Sequence, residues 1–270
     1  MTPLRLAAVI GYPVAHSRSP RLHGHWLRRH AIAGHYVPLQ IAPEDFTQAL
    51  ALLPRMGFVG ANVTLPHKET ALALASRSTQ VARRIGAANT LLFTDTGIEA
   101  DNTDAHGFAR NILDSRPDWQ PQSVALIGAG GASRAVIAAL QDLGARDIRL
   151  TNRNPARAEA LAAEFGLTAH PWHNRAAMLD GCDTLVNATS QGMIGNPALD
   201  LDLSALPRSA IVNDLVYTPL ETPLLAAARA RGNPVIDGLG MLLHQAAPGF
   251  QRWFGVQPVV DAELRAAVLE

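Results

Sequence analysis

The sequence predicts an α/β protein made of two α/β domains, and three observations point that way. Apolar runs of strand length alternate with helical stretches along most of the chain. The polar, proline-bearing stretch SRPDWQPQ at 115–122 interrupts this rhythm, and a second βαβ series restarts directly after it at SVALIGAGG.

Taken in order, LAAVIG at 6–11 reads as a buried strand, and a helix follows from 20 to about 31. Ser19 is its expected N-cap and Pro20 its first helical position. HYVPLQI at 35–41 is the next strand, followed by a helix from Pro43. GFVGANVTL at 57–65 is a third strand, with helices from Pro66 and around 79–85. ANTLLFT and GIEADNT flank a turn at 95–97 in the manner of a hairpin, and a helix over 104–114 leads into the interruption. In the second series strands are expected at 123–128, 147–152, 183–188, 210–216 and 234–237, with helices between them. Final helices at 239–253 and 261–269 can return to the first domain. The expected division is therefore 1–103 plus 239–270 against 104–238.

Lys and Arg together number 23, as do Asp and Glu, so the formal charge is zero and the chain lacks the basic surface that nucleic acid or an anionic membrane attracts. No run of about 18 apolar residues is present to span a bilayer, and MTPLRLAAVIGYP is too short and too weakly charged for a signal peptide. Cys182 is the only cysteine, so no intrachain disulfide can form, which fits a reducing compartment. The expectation is a cytoplasmic soluble protein, a monomer or homodimer. His23 and His25 stand two apart on a predicted helix and cannot share an ion, and His170 and His173 have no evident ligand partner, so no metal is expected.

Of the 23 cationic side chains, 22 are arginine and one, Lys68, is lysine. Arginine keeps its proton in proteins, whereas a lysine amine can be tuned to give it up. Composition alone leaves two readings, a titrating role or a leftover surface lysine. Lys68 falls in the first turn of the helix expected after Pro66, where the helix dipole disfavours a cation.

The run Val124 to Ile127, then Gly128, Ala129, Gly130, Gly131, Ala132 and Ser133, supplies the strand, glycine turn and helix that a dinucleotide fingerprint requires. A plain strand-to-helix turn would use the same glycines, so the next strand end matters. An NAD site commonly carries Asp or Glu there, and this chain has Asn152, Arg153 and Arg157, which would attract a 2′-phosphate. NADP is the expected cofactor.

Three polar clusters lie at predicted strand ends of the first domain, where α/β folds gather ligands. In the first, Ser17 and Ser19 put two hydroxyls beside a helix start, a seat for a carboxylate. The second runs from Asn62 through Thr64 to Lys68, and the third combines Asn89 and Thr90 with Asp101, Asn102, Thr103 and Asp104. Asp104 caps or opens the connecting helix, which is its purely structural reading.

With these residues in view, the chain resembles the shikimate dehydrogenases over essentially its full length. The matching segments are GYPVAHSRSPRLH, NVTLPHK, GAANTL, DNTDAHGF, GAGGASRA, the NR at 152–153, NATSQG, DLVYTPLETPLL and DGLGMLLHQA. The resemblance implies an N-terminal substrate domain and a Rossmann-like NADP-binding domain with the active site in the cleft between them. It also implies NADP-dependent interconversion of 3-dehydroshikimate and shikimate, a step towards chorismate and the aromatic amino acids. Carried over by position, Lys68 and Asp104 would be the catalytic pair and Ser17 and Ser19 would hold the substrate carboxylate. Asn62, Thr64, Asn89, Asp104 and Gln245 would meet its hydroxyls, with Tyr217 a further substrate contact. Thr189 would lie on the cofactor, and Leu215, Gly238 and Met241 near its nicotinamide end. This chain departs from the pattern at Gly24, where Asn often follows the histidine, at Asn154, where Thr often follows NR, and at Gln80, where an acidic residue is frequent. Quinate or quinate/shikimate dehydrogenases, a relative acting on an amino-substituted ring, and a non-catalytic NADP sensor are the rival readings.

Overall fold

The computed structural model describes residues 4–270, so the first three residues of the N-terminal run discussed above lie outside it. It divides into two compact units, Met1–Gly107 with Leu242–Glu270, and Phe108–Met241. Among the described residues no helix is long and apolar enough to cross a membrane.

The first unit is built on a six-stranded sheet. Its strands are β1 (Arg5–Gly11), β2 (Gly34–Gln40), β3 (Phe58–Val63), β4 (Arg77–Ser78), β5 (Thr90–Thr94) and β6 (Gly97–Asp101), in the spatial order β2-β1-β3-β5-β6-β4. β1 pairs in parallel with β2 and β3, whereas β5 is antiparallel to both β3 and β6. Side chains alternate across β1, so Ala8 and Ile10 enter a core with Phe46, Leu50, Val63 and Leu91 on one face. Around it lie α1 (Ser19–Arg29), α2 (Phe46–Leu52), α3 (Lys68–Ala73) and α4 (Gln80–Ile85).

α5 (Asp104–Ser115) carries the chain into the second unit, which has the strands β7 (Ser123–Ile127), β8 (Asp147–Thr151), β9 (Thr168–His170), β10 (Thr184–Asn187), β11 (Ile211–Asp214) and β12 (Val235–Ile236). Their order is β12-β11-β10-β7-β8-β9, and every pairing is parallel. This is the doubly wound order in which the sequence reverses direction between β7 and β10, the point where such sheets bind ligands. α6 (Gly131–Asp142), α7 (Pro155–Phe165) and α8 (Pro223–Ala230) connect these strands. Cys182 is fully buried in the core of this unit, as a small apolar residue would be.

α9 (Leu239–Phe254) and α10 (Ala262–Leu269) follow. From Leu242 onward they belong to the first unit, where Trp26 donates from Nε1 to the Val259 carbonyl at 3.0 Å and Arg18 reaches the Val268 carbonyl at 3.2 Å.

Three local expectations are corrected. Ser19 is the first residue of α1 rather than its cap; Arg18 holds the cap position without a side-chain bond, and the Ser17 hydroxyl accepts from the Ser19 N–H at 3.3 Å. The helix expected from Pro66 begins at Lys68. The two-residue strand β4 and the three-residue β9 are additional; both are too short to show an alternation in sequence.

Candidate active site

Lys68 and Asp104 are 36 residues apart in sequence, yet Lys68 Nζ lies 2.5 Å from Asp104 Oδ2. The register of the first sheet brings their surroundings together. Asn62 on β3, Thr90 on β5 and Asp101 on β6 stand opposite one another in a single row across three strands. Directly after β6 the chain turns through Asn102 and Thr103, and Asp104 opens α5, its N–H held by Asn102 Oδ1 at 3.0 Å. The Asn102 amide in turn donates to the Ala87 carbonyl at 2.9 Å.

Lys68 is placed by its neighbours as much as by its own helix. His67 is buried, stacked on Phe46 with ring centroids 4.3 Å apart, and its Nε2 lies 2.8 Å from the Ile41 carbonyl. A carbonyl can only accept, so this nitrogen carries the hydrogen. His67 is buried in the core, whereas the Lys68 side chain stays partly exposed. The Lys68 carbonyl also accepts from the Ala88 N–H at 2.9 Å, which ties the start of α3 to the segment bearing Asn89.

Asn89 is the hub. Its Nδ2 donates to Asp104 Oδ1 at 2.7 Å and reaches Gln245 Oε1 on α9 at 3.4 Å. Its Oδ1 accepts from Thr90 Oγ1, the Thr103 N–H and Thr103 Oγ1 at 2.9, 2.8 and 3.1 Å. Each oxygen of Asp104 is thus fixed by a different donor, Lys68 on one and Asn89 on the other. Asn62 joins through Nδ2 to the Asn89 carbonyl at 3.1 Å and to Thr90 Oγ1 at 3.2 Å. Of the residues expected at this site, Lys68, Asn62, Asn89, Asp104 and Gln245 form one bonded network. Ser17 and Ser19 are joined through the Ser19 N–H, and Tyr36 donates to Asn62 Oδ1 at 2.7 Å. Thr64 stands at the end of β3 beside this network, with no side-chain hydrogen bond to it among the described residues. Sequence reading left Tyr36 and His23 without a role in this network; a buried polar residue on a strand or helix carries no local signature of its partners.

In the second unit the glycine turn lies between β7 and α6. Gly128 has φ +111°, and a Cβ there would come within 2.9 Å of Thr189 Cγ2 and 3.1 Å of the Ala188 backbone. Only glycine suits both the conformation and this approach. Ser133, at the third glycine position of the fingerprint, donates to the Gly128 carbonyl at 2.8 Å and accepts from the Gly130 N–H at 3.3 Å, so its hydroxyl braces the turn. A Cβ at Gly130 or Gly131 would meet no atom within 4 Å. Gly130 and Gly131 therefore border open space at the start of a helix, with the half-buried Ala129 and Ala132 on either side, a cradle of the kind a pyrophosphate occupies.

Beyond β8, Asn152 donates to the Asn154 carbonyl at 3.0 Å, and Asn154 caps α7 by accepting from the Arg157 N–H. Asparagine thus keeps the capping function at the position where the sequence departs from the pattern it resembles. Arg153 and Arg157 are exposed, and neither guanidinium has a protein partner among the described residues. Two unpaired guanidinium groups and no carboxylate at this strand end fit a 2′-phosphate.

Asp214, at the end of β11, is a fully buried carboxylate that the sequence reading did not single out. It accepts from Thr222 Oγ1 at 2.6 Å, and from the Val216 N–H and Asn187 Nδ2 at 3.0 Å each. Burial pushes its pKa up, against the pull of these donors. Asn187 also accepts from the Thr189 N–H and hydroxyl, at 3.1 and 2.7 Å. The segments bearing Thr189 and Leu215 to Tyr217 are therefore pinned to one buried centre. Gly238 closes on the same region, since a Cβ there would overlap the Leu215 carbonyl, and Met241 follows three residues later on α9.

Residues 9–91 match the shikimate dehydrogenase substrate binding domain, 108–196 match shikimate / quinate 5-dehydrogenase, and 238–267 match the shikimate 5′-dehydrogenase C-terminal domain. The chain is 59% identical over 269 residues to the shikimate dehydrogenase (NADP(+)) of Paracoccus denitrificans, covering 98% of this chain and 95% of that protein. It is 58% identical over 264 residues to the enzyme of the same name from Acidiphilium cryptum, with 98% and 95% covered. Among solved structures, the shikimate 5-dehydrogenase of Thermus thermophilus in complex with NADP(H) and shikimate is 38% identical, with a TM-score of 0.89 over 99% of each chain. A quinate dehydrogenase from Corynebacterium glutamicum in complex with NAD is 31% identical, with a TM-score of 0.92 over 99% of each chain.

Proposed function

The chain belongs to the NADP-dependent shikimate dehydrogenase family, and from that premise we propose that it catalyses the reversible reduction of 3-dehydroshikimate to shikimate with Lys68 and Asp104 as its acid-base pair. The observation that carries the assignment of the pair is the 2.5 Å contact between Lys68 Nζ and Asp104 Oδ2, with Asn89 holding the other carboxylate oxygen.

The cofactor, when bound, supplies hydride transfer at its nicotinamide ring. As the ketone becomes an alcohol, negative charge grows on the ring oxygen and a proton must reach it. Lys68 delivers that proton from Nζ as an ammonium, and in the oxidative direction its amine takes it back. Asp104 aims the amine and accepts from the reacting hydroxyl. Its fixed rotamer keeps this geometry ready before substrate arrives, so little reorganisation is left for the reaction itself.

Ser17 and Ser19 seat the carboxylate of the ring. Asn62, Thr64, Asn89 and Gln245 meet its hydroxyls, and the 3.4 Å contact between Asn89 and Gln245 is the weakest in the network and the one a substrate hydroxyl replaces. In the second unit Gly128, Ala129, Gly130, Gly131 and Ala132 cradle the pyrophosphate. Asn152, Arg153 and Arg157 take the adenosine end with its 2′-phosphate. Thr189, Leu215, Gly238 and Met241 serve the nicotinamide end, and Tyr217 adds a substrate contact.

The reading extends to a cytoplasmic enzyme acting as a monomer or homodimer, and the single buried thiol, Cys182, suits a reducing compartment. The domain division we favour assigns 1–103 with 239–270 to substrate and 104–238 to cofactor. The deciding experiment pairs shikimate or quinate with NADP or NAD and follows the absorbance of the reduced nicotinamide. Turnover confined to quinate, or equal use of NAD, overturns the proposal, as does cofactor binding without turnover.

A further inference from the structure

Tyr36 lies on β2, outside every motif that identifies the family, yet it is joined to the same network. Its ring is buried, and its hydroxyl donates to Asn62 Oδ1 at 2.7 Å. That bond holds Asn62 Oδ1 in an orientation that the opposite end of the amide selects. On its other side Asn62 Nδ2 meets the Asn89 backbone carbonyl, which can only accept, and Thr90 Oγ1. A flipped amide would set oxygen against the Asn89 carbonyl, two acceptors face to face, so the amide keeps Oδ1 towards Tyr36, whose hydroxyl then serves as the donor. Both Asn62 amide hydrogens are engaged within the protein, and Oδ1, which accepts from Tyr36 with one of its two acceptor sites, is the atom that can meet a ligand hydroxyl with the other.

Tyr36 is itself clamped. His23 of α1 stacks on its ring with centroids 3.9 Å apart and planes 11° from parallel. His23 is fully buried. Trp26, Phe250 and Trp253 complete the aromatic wall around it. Such a wall leaves the phenol little freedom to turn its hydroxyl elsewhere.

We propose that Tyr36 is a positioning residue for substrate recognition, acting through Asn62. It holds the Asn62 amide so that its carbonyl oxygen accepts from a ring hydroxyl of the substrate. An acceptor cannot bond a ketone oxygen, so the group read by Asn62 is a hydroxyl present in both shikimate and 3-dehydroshikimate, away from the carbon that changes oxidation state. This inference rests on the shikimate reading given above and assigns one further side chain to the same site.

A double-mutant cycle tests it, using Tyr36→Phe, Asn62→Ala and the combination in the full-length enzyme. Tyr36→Phe removes one oxygen and keeps the ring stacked on His23, and thermal melting checks that it stays folded. The expected result is a rise of roughly tenfold in KM for shikimate, the size of one hydrogen bond, with kcat and the KM for NADP changed by less than about twofold. In the Asn62→Ala background the same Tyr36→Phe change should have almost no further effect on KM. If the two substitutions are additive, or if Tyr36→Phe lowers kcat and weakens NADP as much as it weakens shikimate, Tyr36 acts only as general scaffold and the proposal fails. Wild-type enzyme that does not oxidise shikimate with NADP would instead overturn the functional reading beneath it. In that case the cycle is run on shikimate binding by calorimetry: coupling between the two substitutions supports the role of Tyr36, and additivity or absent binding rejects it.

Discussion

The Asp104 carboxylate holds Lys68 Nζ at 2.5 Å although Asp104 also begins a helix. One residue thus closes the first unit's polar network and starts the segment that leaves it. The same carboxylate is fixed from behind by Asn89, so the amine approaches an acceptor that is already oriented.

Loss of the amine should separate binding from chemistry. Lys68→Ala is expected to lower kcat by about 10²- to 10⁴-fold while calorimetric affinities for shikimate and NADP stay near wild type. Lys68→Arg should fare little better, because guanidinium does not release its proton. Near-normal turnover in either variant removes Lys68 from the mechanism.

Cofactor preference should respond to Arg153. Replacing it with Asp sets a carboxylate where a 2′-phosphate is expected, and the KM for NADP should rise roughly tenfold to a hundredfold with little change for NAD. Initial rates with each cofactor at saturating shikimate provide the check, and an unchanged NADP/NAD ratio rules Arg153 out as the discriminating residue.

His23 makes stability depend on pH. Burial lowers its pKa from 6.5 to about 3, so between those values the unfolded chain binds a proton that the folded protein refuses. Its contribution is fully present above about pH 6.5 and is lost as pH falls towards 3. His23→Phe removes that titration. Its stability relative to wild type should grow by roughly 2–3 kcal/mol between pH 7 and about pH 4.5 in urea unfolding. A difference that stays constant with pH would falsify this assignment.

Gly60 sits where β3 passes beneath Trp253. A Cβ at this position would overlap both Trp253 Nε1 and the Leu91 carbonyl oxygen, the two atoms that share a 2.9 Å hydrogen bond. Gly60→Ala should therefore destabilise the protein by about 1–3 kcal/mol or more through overpacking. Chemical denaturation measures it, and a neutral result means that α9 can retreat from the sheet without cost.

Much of the fold was legible because its signals are local. Apolar alternation marked the strands, Gly128 to Ser133 marked the turn into α6, and the arginines after β8 stood where a carboxylate would otherwise be. Legibility failed where few residues speak for themselves. β4 and β9 are too short to show a period, and Ser19 looked like a cap because its type suits that position, whereas Arg18 occupies it. Asp214 gave no signal at all, since its partners come from residues 187, 216 and 222.

Chain order alone determined the two-series α/β pattern, the glycine turn and the unusual solitude of Lys68 among arginines. What only the folded structure decided is who meets whom: Asn62, Thr90 and Asp101 in one row, Lys68 on Asp104, Gln245 on Asn89 across 156 residues, and Tyr36 on Asn62. The reason is physical. Strand and helix periods arise from neighbouring residues, but strand register and side-chain hydrogen bonds depend on segments that meet only after the core has formed.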